Sequence, residues 1–374
     1  MLLGVPREVK VHEYRVGLTP ASVAELVAVG HQVLVETNAG AGVDFTDADY
    51  QQSGAEIVST ADELFARAGM IVKVKEPQPG ECGKLRPGQV LFAYLHLAPD
   101  PKQTRLLVES GATCIAYETI TDAEGRLPLL TPMSRIAGRV AVQEGAHHLC
   151  CSQGGRGVLM AGVPGVDPAQ VLIIGGGVVG ENALHMALGM GAGVTVLDKS
   201  EKRLQELRAR YDDRASYELS ERVRVEQHLP RADLVIGAVL TPGGLAPRVI
   251  SRSQLALMKK GAVLVDVAID QGGCFESSRP TTHAEPTYIE TGIVHYCVTN
   301  MPASVARTST LALNLATLPY VLRLAGDPVQ ALLDDEHLRN GLGIYAGQVT
   351  AEIIAREQGY DYLPALEVLS VKAN

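Results

Sequence analysis

Three glycines with the spacing Gly175-x-Gly177-x-x-Gly180 follow the apolar, largely β-branched run Val171-Leu172-Ile173-Ile174, and this stretch constrains the chain more than any other. The run reads as a buried strand, and the residues from Val178 and Val179 to about Gly191 read as a helix. Gly175 permits a tight strand-to-helix turn, Gly177 lets backbone approach a pyrophosphate, and Gly180 lets helix and strand pack closely. The helix points its unpaired N–H groups and positive dipole end at the phosphates, so no basic side chain is required. A second strand, Val194 to Leu197, ends at Asp198. An acid about 20 residues beyond the glycines accepts hydrogen bonds from the ribose hydroxyls and repels a 2′-phosphate, which predicts NAD in preference to NADP. Lys199, Lys202 and Arg203 qualify that preference, because cations beside the acid either serve the adenosine end or simply solvate a helix.

At 374 residues the chain exceeds what one hydrophobic core comfortably holds and suits two domains. With 46% hydrophobic and 20% charged residues it has the composition of a globular protein, and no apolar run approaches the ~20 residues that span a bilayer. The N-terminal residues reach Arg7, Glu8 and Lys10 without the apolar core of a signal peptide, so the expected compartment is the cytoplasm. Six cysteines, scattered and without a C-x-x-C pair, suit reduced thiols better than a disulfide framework or a zinc site, and no metal is expected. A net charge of −9 argues against a nucleic-acid surface.

Strand and helix signals alternate along the chain. Leu2 to Pro6, Gln32 to Glu36, Glu56 to Val58, Met70 to Lys75, Val90 to His96 and Thr113 to Thr119 read as strands, with a helix beginning at the cap pair Thr19-Pro20 and others at Ala61 and Pro101. Met133 to Cys151 reads as a connecting helix. The alternation then resumes with strands at Val171 to Ile174, Gly193 to Leu197, Asp233 to Leu240, Ala262 to Ile269 and Ile293 to Thr299, before a helical C-terminal return in which Leu311 to Leu324 packs back on the first domain. The expected fold is α/β: two Rossmann-like, doubly wound parallel domains with a cleft between them, one made of 1–132 completed by 305–374, the other of 133–304.

Ligands of open α/β sheets sit outside the carboxyl ends of strands, so charged residues there carry weight. Lys75 and His96 close two successive predicted strands of the first domain, which brings them to one rim. The plainer alternative is a solvated strand-end lysine and a packed histidine, and rhythm alone leaves the two readings even. Arg15, in the loop after the first strand, could take a carboxylate in a two-pronged hydrogen bond, although a loop arginine is more often simply exposed. Asp270 follows Ala262 to Ile269 and faces the cleft from the nucleotide domain, while Asp266, inside that strand, reads as a structural hydrogen-bonding acid. Together these residues suit oxidation of a small carboxylate-bearing substrate, and spacing does not say which.

Five segments carry a resemblance: Gly4-Val-Pro-Arg-Glu through Pro20, Gly157 to Gly165 with the glycine fingerprint, Val265 to Gly273, Ser278-Arg-Pro-Thr-Thr-His283, and His295-Tyr-Cys-Val-Thr-Asn-Met-Pro302. Across essentially the whole length the chain resembles the alanine dehydrogenase family. The resemblance implies NAD-dependent interconversion of L-alanine with pyruvate and ammonia, Arg15 and Lys75 as substrate-binding residues, His96 and Asp270 as catalytic ones, and a homo-oligomer, most often a hexamer. It also implies NAD contacts at Ser134, Val178, Asp198, Ser220, Val239, Leu240, Val267, Arg279, Val298, Asn300 and Met301, with Arg203, Ala268, Ile269, Asp270 and Thr299 completing the candidate set. Arg203 stands where a lysine is common in the family, and Ala306 where a proline is usual. The rival reading is the NAD(H)-binding subunit of a proton-translocating transhydrogenase, in which glutamate is typical in place of Asp270 and leucine in place of Met301.

Overall fold

The computed structural model describes residues 1–239 and 245–370, and they form two compact units, Met1–Met133 with Val305–Asn374, and Ser134–Ser304. In chain order the first unit contains β1 (Leu2–Val5), β2 (Gln32–Glu36), β3 (Glu56–Val58), β4 (Met70–Val72), β5 (Val90–Ala93) and β6 (Thr113–Ala116). The second contains β7 (Gln170–Ile174), β8 (Gly193–Asp198), β9 (Ser216–Leu219), β10 (Leu234–Gly237), β11 (Val263–Asp266), β12 (Thr287–Glu290) and β13 (Ile293–Tyr296), and the return to the first unit adds β14 (Leu342–Tyr345) and β15 (Gln348–Val349).

The first sheet has the order β15-β14-β6-β5-β4-β1-β2-β3 and the second β12-β13-β11-β10-β7-β8-β9. Apart from the added edges, each is six parallel strands in the doubly wound order that reverses direction beside its first strand, between β1 and β4 in one and between β7 and β10 in the other. Helices cover both faces, so β1, β4, β5, β6, β7, β10, β11 and β13 are buried almost throughout, which is why their sequences are continuous apolar runs. One core layer gathers Leu34, Phe65, Ile71, Leu91 and Leu107, its counterpart Leu172, Leu197, Val235, Leu264 and Phe275.

Purely parallel sheets were expected, and both prove mixed. β12 pairs antiparallel with β13, and the return, read from sequence as wholly helical, contributes β14 antiparallel to β6 and β15 antiparallel to β14. These edge strands and β9 are short and interrupted by glycine or polar residues, so no period stands out in them. The helix Ala306–Gly326 does pack on the first unit. It is anchored there by Asn314, whose Oδ1 accepts from the Thr19 N–H at 2.8 Å and from the Ser22 hydroxyl at 3.0 Å. The helix Pro20–Ala28 begins at the expected cap, with the Thr19 side chain accepting from the Ser22 N–H. Among the described residues no helix is long and apolar enough to cross a membrane.

Candidate active site

Parallel strands deliver their loops to one end of the sheet, and in the first unit those loops carry ionisable side chains. β4 and β5 stop at Val72 and Ala93, three residues short of Lys75 and His96, so both lie in loops beyond their strands rather than closing them. The early stop has a visible cause. The Val74 N–H donates to Glu8 Oε1 at 2.7 Å, and the Leu95 and His96 N–H groups donate to the Glu118 carboxylate, so side-chain carboxylates take over from a neighbouring strand as acceptors.

Lys73, fully buried, lies between Glu81 at 2.7 Å and Glu8 at 3.2 Å. Burial alone would lower its ammonium pKa, but the two carboxylates outweigh that and raise it, keeping Lys73 charged. Lys75, two residues on and also buried, has its Nζ 3.8 Å from Glu76, which is in turn paired with Lys10. Burial pushes the Glu76 carboxyl up, and Lys75 and Lys10 more than reverse the effect.

Arg15 is almost fully buried, and Glu13 holds it by a two-pronged pair, Nε at 2.7 Å and Nη2 at 2.5 Å, while Nη1 meets Met133 Sδ at 3.1 Å. The sequence reading offered the Arg15 guanidinium to a substrate carboxylate in a two-pronged hydrogen bond, and in the structure Glu13 takes its Nε–Nη2 edge. A guanidinium out of water needs a fixed counter-charge, and the loop supplies one two residues away. Burial works against the charge on Arg15, and Glu13 overcomes it. His96 stacks on Tyr94, with ring planes 8° apart and centroids at 5.9 Å, and the Tyr94 hydroxyl donates to the Leu129 carbonyl.

The second unit furnishes its strand ends with backbone. Gly175 has φ of +103°, and a Cβ there would lie 2.5 Å from the Ala238 carbonyl oxygen, while one on Gly180 would lie 1.8 Å from the Gly175 oxygen. At Gly177, the N-cap of the helix Val178–Gly189, a Cβ would meet nothing within 4 Å. The first and third glycines are thus required by the protein's own packing, and the second leaves space in front of the helix N-terminus, which fits a dinucleotide phosphate.

The Gly176 peptide is pinned from both sides: its N–H donates to Asp198 Oδ2 at 2.6 Å, and its carbonyl accepts from Arg203 Nε at 2.7 Å. Asp198 Oδ1 takes the Ser200 N–H, and since each carboxylate oxygen accepts two hydrogen bonds, capacity for ribose hydroxyls is left. Arg203 pairs further with Glu181 and Glu206, so it supports the glycine turn directly.

The other candidate contacts fall mostly just past strand ends. Ser220 follows β9 and Val239 follows β10; Val267, Ala268, Ile269 and Asp270 follow β11; Val298, Thr299, Asn300 and Met301 follow β13. Leu240 lies outside the described residues. The Asp270 carboxylate accepts the Asn300 N–H, with both oxygens at 3.3 Å, and Asn300 has a left-handed φ of +59°. Ser134 lies on the helix Thr131–His148, and Arg279, whose guanidinium covers the Tyr288 ring at 4.0 Å, is on the long connection between β11 and β12. Asp266 is buried and accepts from the Ala268 and Cys274 N–H groups and the Ser278 hydroxyl, a structural role as read from sequence.

Sequence reasoning missed Glu8, Glu13, Lys73, Tyr94, Glu118 and Met133 as neighbours of the first-unit candidates. Only Lys73 left a signal: two lysines at i and i+2 in an apolar run project to one side of a strand, and each must find an acid.

The family model for the alanine dehydrogenase/PNT N-terminal domain matches residues 4–137, and that for the C-terminal domain matches residues 141–352. The chain belongs to the alanine dehydrogenase/PNT family. Within it, this chain is 55% identical to an alanine dehydrogenase of Halomonas elongata over 99% of its own length and 100% of that protein. It is 51% identical to an alanine dehydrogenase of Mycobacterium tuberculosis H37Rv over the same shares of both chains. A solved L-alanine dehydrogenase superposes with a TM-score of 0.93 at 48% identity, covering 96% of this chain and 99% of that one. A transhydrogenase from Sinorhizobium meliloti superposes at 0.81 with 24% identity, over 94% and 99%, a likeness of fold. Of the two departures from the family pattern, Arg203 is absorbed by Gly176, Glu181 and Glu206, and Ala306 opens the long helix Ala306–Gly326.

Proposed function

We propose that this chain catalyses the NAD-dependent oxidative deamination of L-alanine to pyruvate and ammonia, and the reverse reductive amination. The observation that carries the reading is full-length identity of 55% to an alanine dehydrogenase, against a likeness of fold alone to a transhydrogenase. Asp270 and Met301 point the same way, since the rival subunit typically has glutamate and leucine there.

The unit 134–304 is the NAD-binding domain in this reading, and the unit containing 1–133 and the C-terminal return holds the substrate. Asp198 takes the ribose and the Val178 end of the helix takes the pyrophosphate, with the residues past β10, β11 and β13 lining the remainder. When bound, NAD supplies the hydride acceptor, and its reduced form the donor in the reverse direction. Arg15, its orientation set by Glu13, binds the substrate carboxylate. Lys75 polarises the carbonyl oxygen, and its burial strengthens that field. His96 takes a proton from the water that adds to the substrate imine and returns one as the carbinolamine collapses. Asp270 orients the water or the amine. The protein works in this reading as a cytoplasmic homohexamer, which sedimentation of the purified protein and cell fractionation check.

The test is NADH formation with a panel of L-amino acids, and NADH oxidation with pyruvate plus ammonia. Alanine should dominate the panel. Absence of both activities in folded protein that still binds NADH would move the assignment to the transhydrogenase subunit.

A further inference from the structure

We infer that Glu181 is a specificity-determining residue for the cofactor: by holding the Arg203 guanidinium it withholds that cation from a 2′-phosphate, and so excludes NADP alongside Asp198. The inference rests on the ribose assignment of Asp198. Asp198 and Arg203 grip the same residue, Gly176. The carboxylate accepts the Gly176 N–H at 2.6 Å, and Arg203 Nε donates to the Gly176 carbonyl at 2.7 Å, which puts a guanidinium beside the acid that takes the ribose. An acid at the end of the second strand selects NAD, whereas an arginine near that place accommodates the 2′-phosphate of NADP. This chain carries both, so the acid alone does not settle the choice.

What decides is how the other donors of the arginine are used. Nη2 pairs with Glu181, and Nη1 donates to Glu206 at 3.0 Å, so two carboxylates share one cation. They are not equal. Glu206 is 47% exposed and three residues along the same helix, Glu201–Tyr211, a pair that water screens. Glu181 is 15% exposed and comes from the first turn of the helix Val178–Gly189, so this pair joins two helices beside the glycine turn. The other Glu181 oxygen pairs with Arg210. Burial raises the Glu181 carboxyl pKa, but the two arginines lower it further than burial raises it, so Glu181 stays charged at neutral pH and its hold on Arg203 persists. A two-pronged approach to phosphate needs two free N–H groups along one edge of the guanidinium. The Nε–Nη2 edge is taken by Gly176 and Glu181, and Nη1 is engaged by Glu206. Removing the Glu181 charge releases Nη2 and leaves Arg203 with one exposed counter-charge, which makes it a phosphate receptor.

The test measures dissociation constants of NADPH and NADH by fluorescence titration of the full-length protein. It compares wild type, Asp198→Ala, and Asp198→Ala with Glu181→Gln, and then the last two again with Arg203→Ala added. Asp198→Ala removes the direct repulsion and should raise affinity for NADPH relative to NADH. Adding Glu181→Gln should raise that ratio about 10-fold further, the scale of one charge-assisted hydrogen bond. With Arg203→Ala present, Glu181→Gln should add nothing, because its effect passes through the arginine. Lys199 and Lys202 are exposed and present in every variant, so their attraction for a phosphate cancels in the comparison. The inference is overturned if Glu181→Gln leaves the ratio of Asp198→Ala unchanged. It is overturned equally if the gain persists without Arg203, since Glu181 would then act by repelling the phosphate itself. An Asp198→Ala protein with the wild-type ratio would instead remove the ribose assignment, and this inference with it. The titrations need no amino acid, so a substrate other than alanine would leave their result standing. Should Glu181→Gln not fold, Glu181→Ala is judged by the same outcomes.

Discussion

The two units share one strand order and reverse it at corresponding places, beside β1 in the first and beside β7 in the second, yet they furnish those places in opposite ways. In the first, a long loop follows β1 and carries Glu8, Glu13 and Arg15 to the ends of β4 and β5, where Lys73, Lys75 and His96 stand. In the second, the chain turns into a helix within three residues of β7 and offers glycine backbone and a helix N-terminus. A switch point is therefore only a location. Loop length decides whether side chains or amides fill it. Side chains bring charges that must be paired when buried, and amides need only clearance.

Loss of the proton transfer proposed for His96 should give the largest effect. His96→Ala should lower kcat by about 10²-fold or more while leaving NADH affinity in place, since the amide-lined site is a separate unit. Steady-state kinetics beside NADH fluorescence titration measure both. If NADH affinity falls in step with kcat, the contrast between the units is wrong.

Arg15→Ala should combine two losses. KM for alanine and pyruvate should rise because the substrate contact proposed for Arg15 is gone. Stability should fall by about 3–5 kcal/mol because Glu13 is left buried without its partner. Adding Glu13→Gln should recover most of the stability and none of the KM. Denaturant unfolding of both variants decides, and recovery of KM as well would take Arg15 out of substrate binding.

The amide-lined site should behave in the reverse manner. Gly177→Ala places a methyl where the protein has nothing within 4 Å, so the melting temperature should hold while NADH affinity drops about 10-fold, or 1.4 kcal/mol. Unchanged affinity would mean that phosphates do not approach that backbone. Asp198→Ala should narrow the preference for NAD over NADP by a smaller factor, measured as the ratio of kcat/KM for the two cofactors, because repulsion of the 2′-phosphate is only one part of the discrimination.

The smallest effect is expected at Glu181, whose carboxyl burial pushes up but which Arg203 and Arg210 hold below the ordinary carboxylate value. A lowered folded-state pKa contributes stability above the unfolded-state value and loses it as pH falls through the folded one. Glu181→Gln should therefore lower the melting temperature by at most about 4 °C at neutral pH, and the gap to wild type should close at acid pH. A gap that is independent of pH would assign Glu181 a packing role.

The doubly wound class, the glycine turn and the acid at the end of β8 were legible in the sequence because each follows from local rules: apolar runs bury, glycines alone fit where a Cβ would strike a carbonyl, and an acid directly after an apolar run falls at the strand's end. Lys75 and His96 were legible as polar residues beyond apolar runs, although their strands stop earlier than the runs suggest. Which acids they would meet was not. Glu8 accepts from the Val74 and Lys75 N–H groups, 66 and 67 residues away, and pairs with the Lys73 ammonium, while Glu118 accepts from the His96 N–H, 22 residues away. Such pairings depend on strand order and register, which no local pattern encodes. The edge strands β12, β14 and β15 were equally hidden, since their conformation is imposed by the partner strand they pair with. The sequence by itself thus determined the class of fold, the cofactor turn and the residue types available for chemistry. The tertiary structure decided which charges are buried together and which carboxylate holds each, because desolvation and Coulomb energies depend on distances between segments remote in the chain.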